Sequence, residues 1–216
     1  MPREPGRLGW VMDYPIKARL NGRGAIVVPH HIACPAGYRG IDRDPCTPEL
    51  SPVVGILSRH GISEFDCAAG PLLHTMGPRV AGGTAVEGLR RGHPFGFAGS
   101  TDNHSGFPGC HGEGCLEVFA RPLTADALWE SVNGRRTCAA TGGRIELRFG
   151  LNGEGMGRVL PNPPKKEIAL RIRGGDFIDC AGIVRNGVPI RRFNGVFPGS
   201  TPRRKVMRVK FRLERG

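Results

Sequence analysis

The chain has 216 residues, a formal net charge of +12 at pH 7 and 39% hydrophobic residues, enough to bury a core in one large domain or two small ones. No apolar run is long enough to span a bilayer, so no membrane association is expected. The opening Met1-Pro2-Arg3-Glu4-Pro5 lacks the charged-then-apolar pattern of a secretory signal, and the expected compartment is the cytoplasm. The 34 Gly and 19 Pro point to many turns and few long helices. The seven cysteines include no Cys-x-x-Cys pair. They read as free thiols in a reducing compartment rather than a zinc ribbon or a redox motif.

In chain order, the first strand-like run is Ala25-Ile26-Val27-Val28, followed by Pro29-His30-His31. The second spans Pro52 to Leu57, followed by Ser58-Arg59-His60-Gly61. The third is Phe95-Gly96-Phe97-Ala98-Gly99, followed by Ser100-Thr101-Asp102-Asn103-His104. Short apolar runs of this kind suit buried parallel strands. Ser63 and Asp66 form a capping pair before a short segment through Ala69. Val80 to Arg91 reads as a helix leading into the third strand. Thr124 is a good N-cap for a helix ending near Gly134, with Ala125, Leu128, Trp129 and Val132 on one stripe.

Histidines and an aspartate just past three strands have the chemistry of a metal site, because α/β folds gather such groups at the carboxyl ends of strands. In Asp102-Asn103-His104 both donors reach one ion only if the chain leaves strand geometry, which Gly99, Gly106 and Gly109 permit. Consecutive histidines in a strand point to opposite faces. His30 is therefore taken as the ligand, and His31 as a group orienting a substrate oxyanion or a water. His60 supplies a further imidazole, and Glu64, on the same short loop, is a candidate general base. His74, His93 and His111 have no strand-end context and read as surface or packing residues.

From about Arg144 the period changes to two. Leu147, Phe149 and Leu151 alternate with Glu146, Arg148 and Gly150; Ile168, Leu170 and Ile172, and then Met207, Val209, Phe211 and Leu213, repeat the pattern. This predicts a half-buried antiparallel sheet. Asn186-Gly187 between two apolar runs predicts a hairpin, and Pro189 an edge strand. From Glu146 to Gly216 there are 16 Lys and Arg against 6 Asp and Glu, while the rest of the chain holds 15 against 13. Such asymmetry suggests two domains, 1–143 and 144–216. The basic sheet is expected to be a solvated face that contacts nucleic acid only weakly.

The ordered set Val27-Val28-Pro29-His30-His31, Ser58-Arg59-His60-Gly61-Ile62-Ser63-Glu64 and Gly99-Ser100-Thr101-Asp102-Asn103-His104 resembles the polymerase and histidinol phosphatase (PHP) superfamily of metal-dependent phosphoesterases. Ala127-Leu128-Trp129-Glu130 and Arg135-Arg136-Thr137-Cys138-Ala139-Ala140-Thr141-Gly142 resemble a bacterial branch of it. The resemblance implies an α/β fold, a partial distorted β/α barrel followed by a small all-β domain. It also implies divalent ions (Zn, Mn or Fe) held by His30, His60, Asp102 and His104, with a phosphorylated small molecule as substrate. The His-x-His strand that opens the family is missing, which implies a fragment, or a subunit whose barrel is completed by a partner chain. The function expected is thus a PHP-like metal-dependent hydrolase; the alternative is a non-catalytic protein that binds polyanions through the basic β domain.

Overall fold

The computed structural model describes residues 24–35, 49–66, 79–107, 113–143, 145–194 and 206–213. The chain divides into two compact units, Met1–Thr141 and Gly142–Gly216. Among the described residues no helix is long and apolar enough to cross a membrane.

The first unit is built on β1 (Val53–Ser58), β2 (Gly61–Ile62) and β3 (Gly96–Gly99), in the order β2-β1-β3. β1 and β3 are parallel, and β2 folds back antiparallel on β1. The parallel pair is connected through α1 (Ala85–Arg90), preceded by a 3-10 turn at Ala81–Gly83. Thr84 separates the two: its hydroxyl donates to Ala81 O at 2.8 Å and accepts from Glu87 N at 3.4 Å, an N-cap that satisfies a first-turn amide. Ile32, Val54 and Ala85 form the buried cluster, with Ile56, Phe95 and Phe97 packed around it.

β4 (Cys115–Val118) and β5 (Thr137–Ala140) pair antiparallel across α2 (Ala125–Asn133). Thr124 caps α2 by accepting from Ala127 N at 3.3 Å. The buried member of the helix is Ser131 rather than the apolar stripe, and its hydroxyl donates to Phe119 O at 2.8 Å; Trp129 stays 40% exposed. Glycines in β3 let β4 and β5 approach closely. A Cβ at Gly99 would lie 2.5 Å from Cys115 O, and one at Gly96 2.8 Å from the Thr137 hydroxyl. That hydroxyl donates to Phe97 O at 2.8 Å.

The partial β/α barrel expected from the sequence is not what forms. Among the described residues strand far outweighs helix, in several small open sheets, with no barrel and a single parallel pair. A barrel needs strand and helix to alternate with every neighbour parallel. Here β3 is followed by an antiparallel pair, and the one crossover helix described has six residues. The run Ala25–Val28 joins no ladder: it lies beside β1 through isolated bonds, Val27 N to Leu50 O and Gly55 N to Pro29 O, both 2.7 Å. Apolar runs look alike whether their partners are parallel or antiparallel, which is why the sequence misled. Residues 67–78, with His74, and 108–112, with His111, lie outside the described residues.

The second unit contains a four-stranded antiparallel sheet of β6 (Glu146–Leu151), β7 (Glu154–Gly155), β8 (Lys166–Arg173) and β11 (Val206–Leu213), in the order β11-β8-β6-β7. A hairpin of β9 (Cys180–Arg185) and β10 (Val188–Asn194) contributes Ala181 and Ile183 to the same core as Ile168, Leu170 and Ile172. Asn186 and Gly187, at φ 53° and 78°, make the tight turn, a conformation that matches strand twist and favours Asn-Gly. Asn152-Gly153, at φ 53° and 84°, repeats the device between β6 and β7.

Candidate metal centre

Three chain segments end at one place. Gly55 N donates to Pro29 O, which pins the His30-His31 segment to β1. A Cβ at Gly55 would sit 3.2 Å from His30 Cβ, so glycine there lets the histidine lie across the strand. His60 stands on the turn between β1 and β2, its amide donating to Ser58 Oγ at 3.1 Å. The loop leaving β3 is stitched to the end of β1 by Ser100 N to Leu57 O at 3.0 Å and Arg59 N to Thr101 O at 3.4 Å. Asp102 follows on that loop.

Asp102 is the point of convergence. Its Oδ2 lies 3.0 Å from His31 Nε2, 3.7 Å from His60 Nε2 and 3.5 Å from Ser58 Oγ, which donates to it. The His30 and His31 rings are 4.4 Å apart between centroids, and those of His31 and His60 5.6 Å. One donor atom each from His30, His31 and Asp102 fall within 4.8 Å of one another. The side chains of His31 and Asp102 are only 13% and 14% exposed, so their interaction is weakly screened by solvent. The adjoining cleft, lined by His30, His31, Ser58, His60 and Ser100 among others, has a volume of about 10 Å³, on the order of one water or ion.

Two of the converging residues carry backbone strain. His31 and Asp102 adopt φ 54° and 50°, a left-handed conformation uncommon for residues with a Cβ, although Asp and His enter it more readily than most. Strain of this sort persists where surrounding structure enforces it, and it clusters at ligand clamps. It also explains the placement of the histidine pair. Strand geometry would set His30 and His31 on opposite faces, but the left-handed turn at His31 brings both rings to the same side.

The other expected site residues stand apart. His104 Nε2 is 3.9 Å from Asp102 Oδ1, yet its side chain is 91% exposed and it is not part of the three-donor cluster. Glu64 is not among the residues lining the cleft. Its backbone carbonyl accepts from Val86 N at 3.0 Å at the start of α1, and burial pushes its carboxyl above the usual range. Ser58 was passed over in the sequence, although the Ser-x-His spacing before His60 was there to be read. Asn103 donates to Glu113 Oε2 at 2.8 Å, and Arg59 reaches the other oxygen of Glu113 at 3.8 Å; both contacts brace the loop beside Asp102.

The donor set fits a borderline divalent cation. Two or three imidazoles with one carboxylate suit Zn, Mn or Fe(II) better than Ca or Mg, which take all-oxygen shells. With bonds of about 2.0–2.2 Å, two ligand atoms on one ion are at most about 4.4 Å apart. The observed spread therefore needs only a slight inward swing, which the exposed His30 is free to make.

No family model and no solved structure matches the chain. It is 28% identical over 180 residues to an uncharacterized protein of Chlamydia pneumoniae. That match covers 74% of this chain and 28% of the relative, so the chain spans less than a third of the relative's length.

Proposed function

We propose that the first unit holds a divalent metal ion and serves the hydrolysis of a phosphoester. The observation that carries this reading is the convergence of His31, His60 and Ser58 on Asp102 Oδ2, with His30 completing a three-donor cluster. His30, His31 and Asp102 would hold the ion, and His60 would be the fourth donor. A divalent ion in such a site supplies Lewis acidity toward a phosphoryl oxygen and lowers the pKa of water. Asp102 neutralises part of the ion's charge and orients His31. Ser58 fixes the carboxylate by donating to it, as partners of ligating groups commonly do. The small cleft admits water, while the exposed rims of His30 and His104 leave the approach open to a phosphate group.

The test is metal content and activity together. After exposure to Zn or Mn and dialysis, the wild-type chain is expected to retain about one ion, more at neutral than at acid pH because the ligands must be deprotonated. The double variant His31→Ala/Asp102→Asn should retain none. Hydrolysis of p-nitrophenyl phosphate should require the added ion and stop on chelation. Equal metal retention by the double variant would overturn the site; retention without any phosphoester turnover would overturn the reaction and leave the site.

A further inference from the structure

The four-stranded sheet of the second unit has one apolar face and one cationic face. On the first, Leu147, Phe149, Leu170 and Val209 join the core shared with β9 and β10. The second presents Arg148, Arg171 and Arg208 in a single row, because Arg171 is the direct register partner of both of the others. Neighbouring strands are about 4.8 Å apart, so three guanidinium stems are held side by side. In the next row Gly150, Ala169 and Lys210 are partners. The small residues there leave an open depression of about 420 Å³, bordered by Arg148, Arg171, Arg208 and Lys210.

The cations exceed their local carboxylates. Glu146 is 2.6 Å from Arg148, and Glu167 is 2.7 Å from Lys210. Among the described residues no salt bridge involves Arg171 or Arg208, and Arg171 Nε is buried without a hydrogen-bond partner. Arg173 and Arg212 add two more positive groups on the same face by strand alternation. Both carboxyls are held below the usual range, chiefly by these hydrogen bonds to Arg148 and Lys210, so each stays anionic and offsets one cation, and the face still keeps a positive surplus. Like charges directly opposite one another destabilise a sheet. A solvated face would gain nothing from placing three arginines in one row.

We propose that this row binds the phosphate backbone of a nucleic-acid duplex without reading its sequence. Charge complementarity points to phosphates, and among the described residues of this face, from Glu146 and Arg148 to Arg208, Lys210 and Arg212, none is aromatic, which points to a duplex. A single strand exposes its bases and is normally held by stacking on aromatic side chains; a duplex turns its bases inward and offers phosphates and sugars. Across the three strands, about 10 Å, duplex DNA presents about six phosphates, enough to meet the four cations that border the depression. The inference concerns the second unit alone and does not depend on the metal centre.

The experiment is fluorescence anisotropy of the full chain with a labelled duplex of about 20 base pairs, between 50 and 200 mM KCl. Three to four phosphate contacts predict an affinity loss of about 40- to 150-fold over that range. Arg208→Gln should shallow the salt slope by about one contact. Arg185→Gln removes the same charge from the β9–β10 hairpin and should leave the slope unchanged. Lys210→Gln, on the same edge strand, provides a second variant should Arg208→Gln disturb folding. Four outcomes overturn the proposal: no binding at 50 mM KCl, equal effects of the two arginine variants, tighter binding of a single strand, or displacement of the duplex by micromolar pyrophosphate.

Discussion

Arg171→Met should make the second unit more stable, not less. In the native sheet Arg171 stands between Arg148 and Arg208, two like-charge cross-strand contacts each worth about 0.2–1 kcal/mol of destabilisation. Its Nε is buried without a partner, and an unsatisfied buried donor costs about 1–3 kcal/mol. Methionine keeps most of the aliphatic stem and places its terminal methyl near the position of Nε, so the stem's burial survives. Discounting the exposed part of the charge repulsion for screening, the expected gain is about 1–3 kcal/mol. For a unit of this size each kcal/mol shifts the melting temperature by about 4–8 °C. The two tryptophans, Trp10 and Trp129, belong to the first unit, so fluorescence does not single out the second. Hydrogen exchange of the β8 amides in the full chain does. High salt should shrink the gain by screening the repulsive part, while the part from desolvation persists. Slower exchange in wild type than in Arg171→Met would refute the reasoning and make Arg171 a structural residue. The same variant should bind duplex more weakly, a trade of function against stability.

Two further outcomes are expected. Burial raises the Glu64 carboxyl above its ordinary value, so the folded state holds its proton to higher pH than the unfolded chain. The resulting stability is present in acid and is lost as pH rises through the raised folded value. Glu64→Gln should therefore gain on wild type at about pH 7.5 and converge with it near about pH 4 in thermal melts followed by Trp129 fluorescence; a gap independent of pH would remove burial as the cause. In the second unit, Gly187→Val forces a β-branched side chain onto φ 78° and should cost roughly 2 kcal/mol, read as faster exchange of the β9 and β10 amides. Unchanged exchange would mean that the turn is not needed to hold the hairpin.

The second unit was more legible than the first, and the reason is periodicity. Leu147, Phe149 and Leu151 mark one face of β6, and the same pattern marks β8 and β11, because each strand has a single buried side. The short strand β7 was missed, although Asn152-Gly153 carries the same turn chemistry as Asn186-Gly187. Only two residues, Glu154 and Gly155, pair beyond the turn, and both are exposed, so no apolar alternation announced them. In the first unit the runs at Val53 and Gly96 were read as strands, but nothing in them specifies the partner. The antiparallel pair of β4 and β5 replaces the expected barrel neighbours, and its close approach to β3 depends on Gly96 and Gly99 admitting Thr137 and Cys115. That close approach is a tertiary event with no local signature.

At the candidate site, residue type was legible, as was the place of His60 and Asp102 just past strands; the run before His30 is not a strand, and backbone conformation was not legible. Alternation along an ideal strand assigned His30 and His31 to opposite sides, and only the left-handed turn at His31 undoes that. The same turn type at Asp102 aims its carboxylate at His31 and His60 and leaves His104 outside. Both units thus depart from local rules where their proposed chemistry lies. In the first, two residues with a Cβ occupy a conformation better suited to glycine; in the second, three arginines stand in register beside an unsatisfied donor. A sequence selected for folding alone would lower its energy by relaxing each of these features, which is why both places are the ones proposed to meet a ligand. On the two proposals, a cation would offset the strain by drawing His30, His31 and Asp102 together, and an array of phosphates would offset the repulsion by standing between the arginines and water.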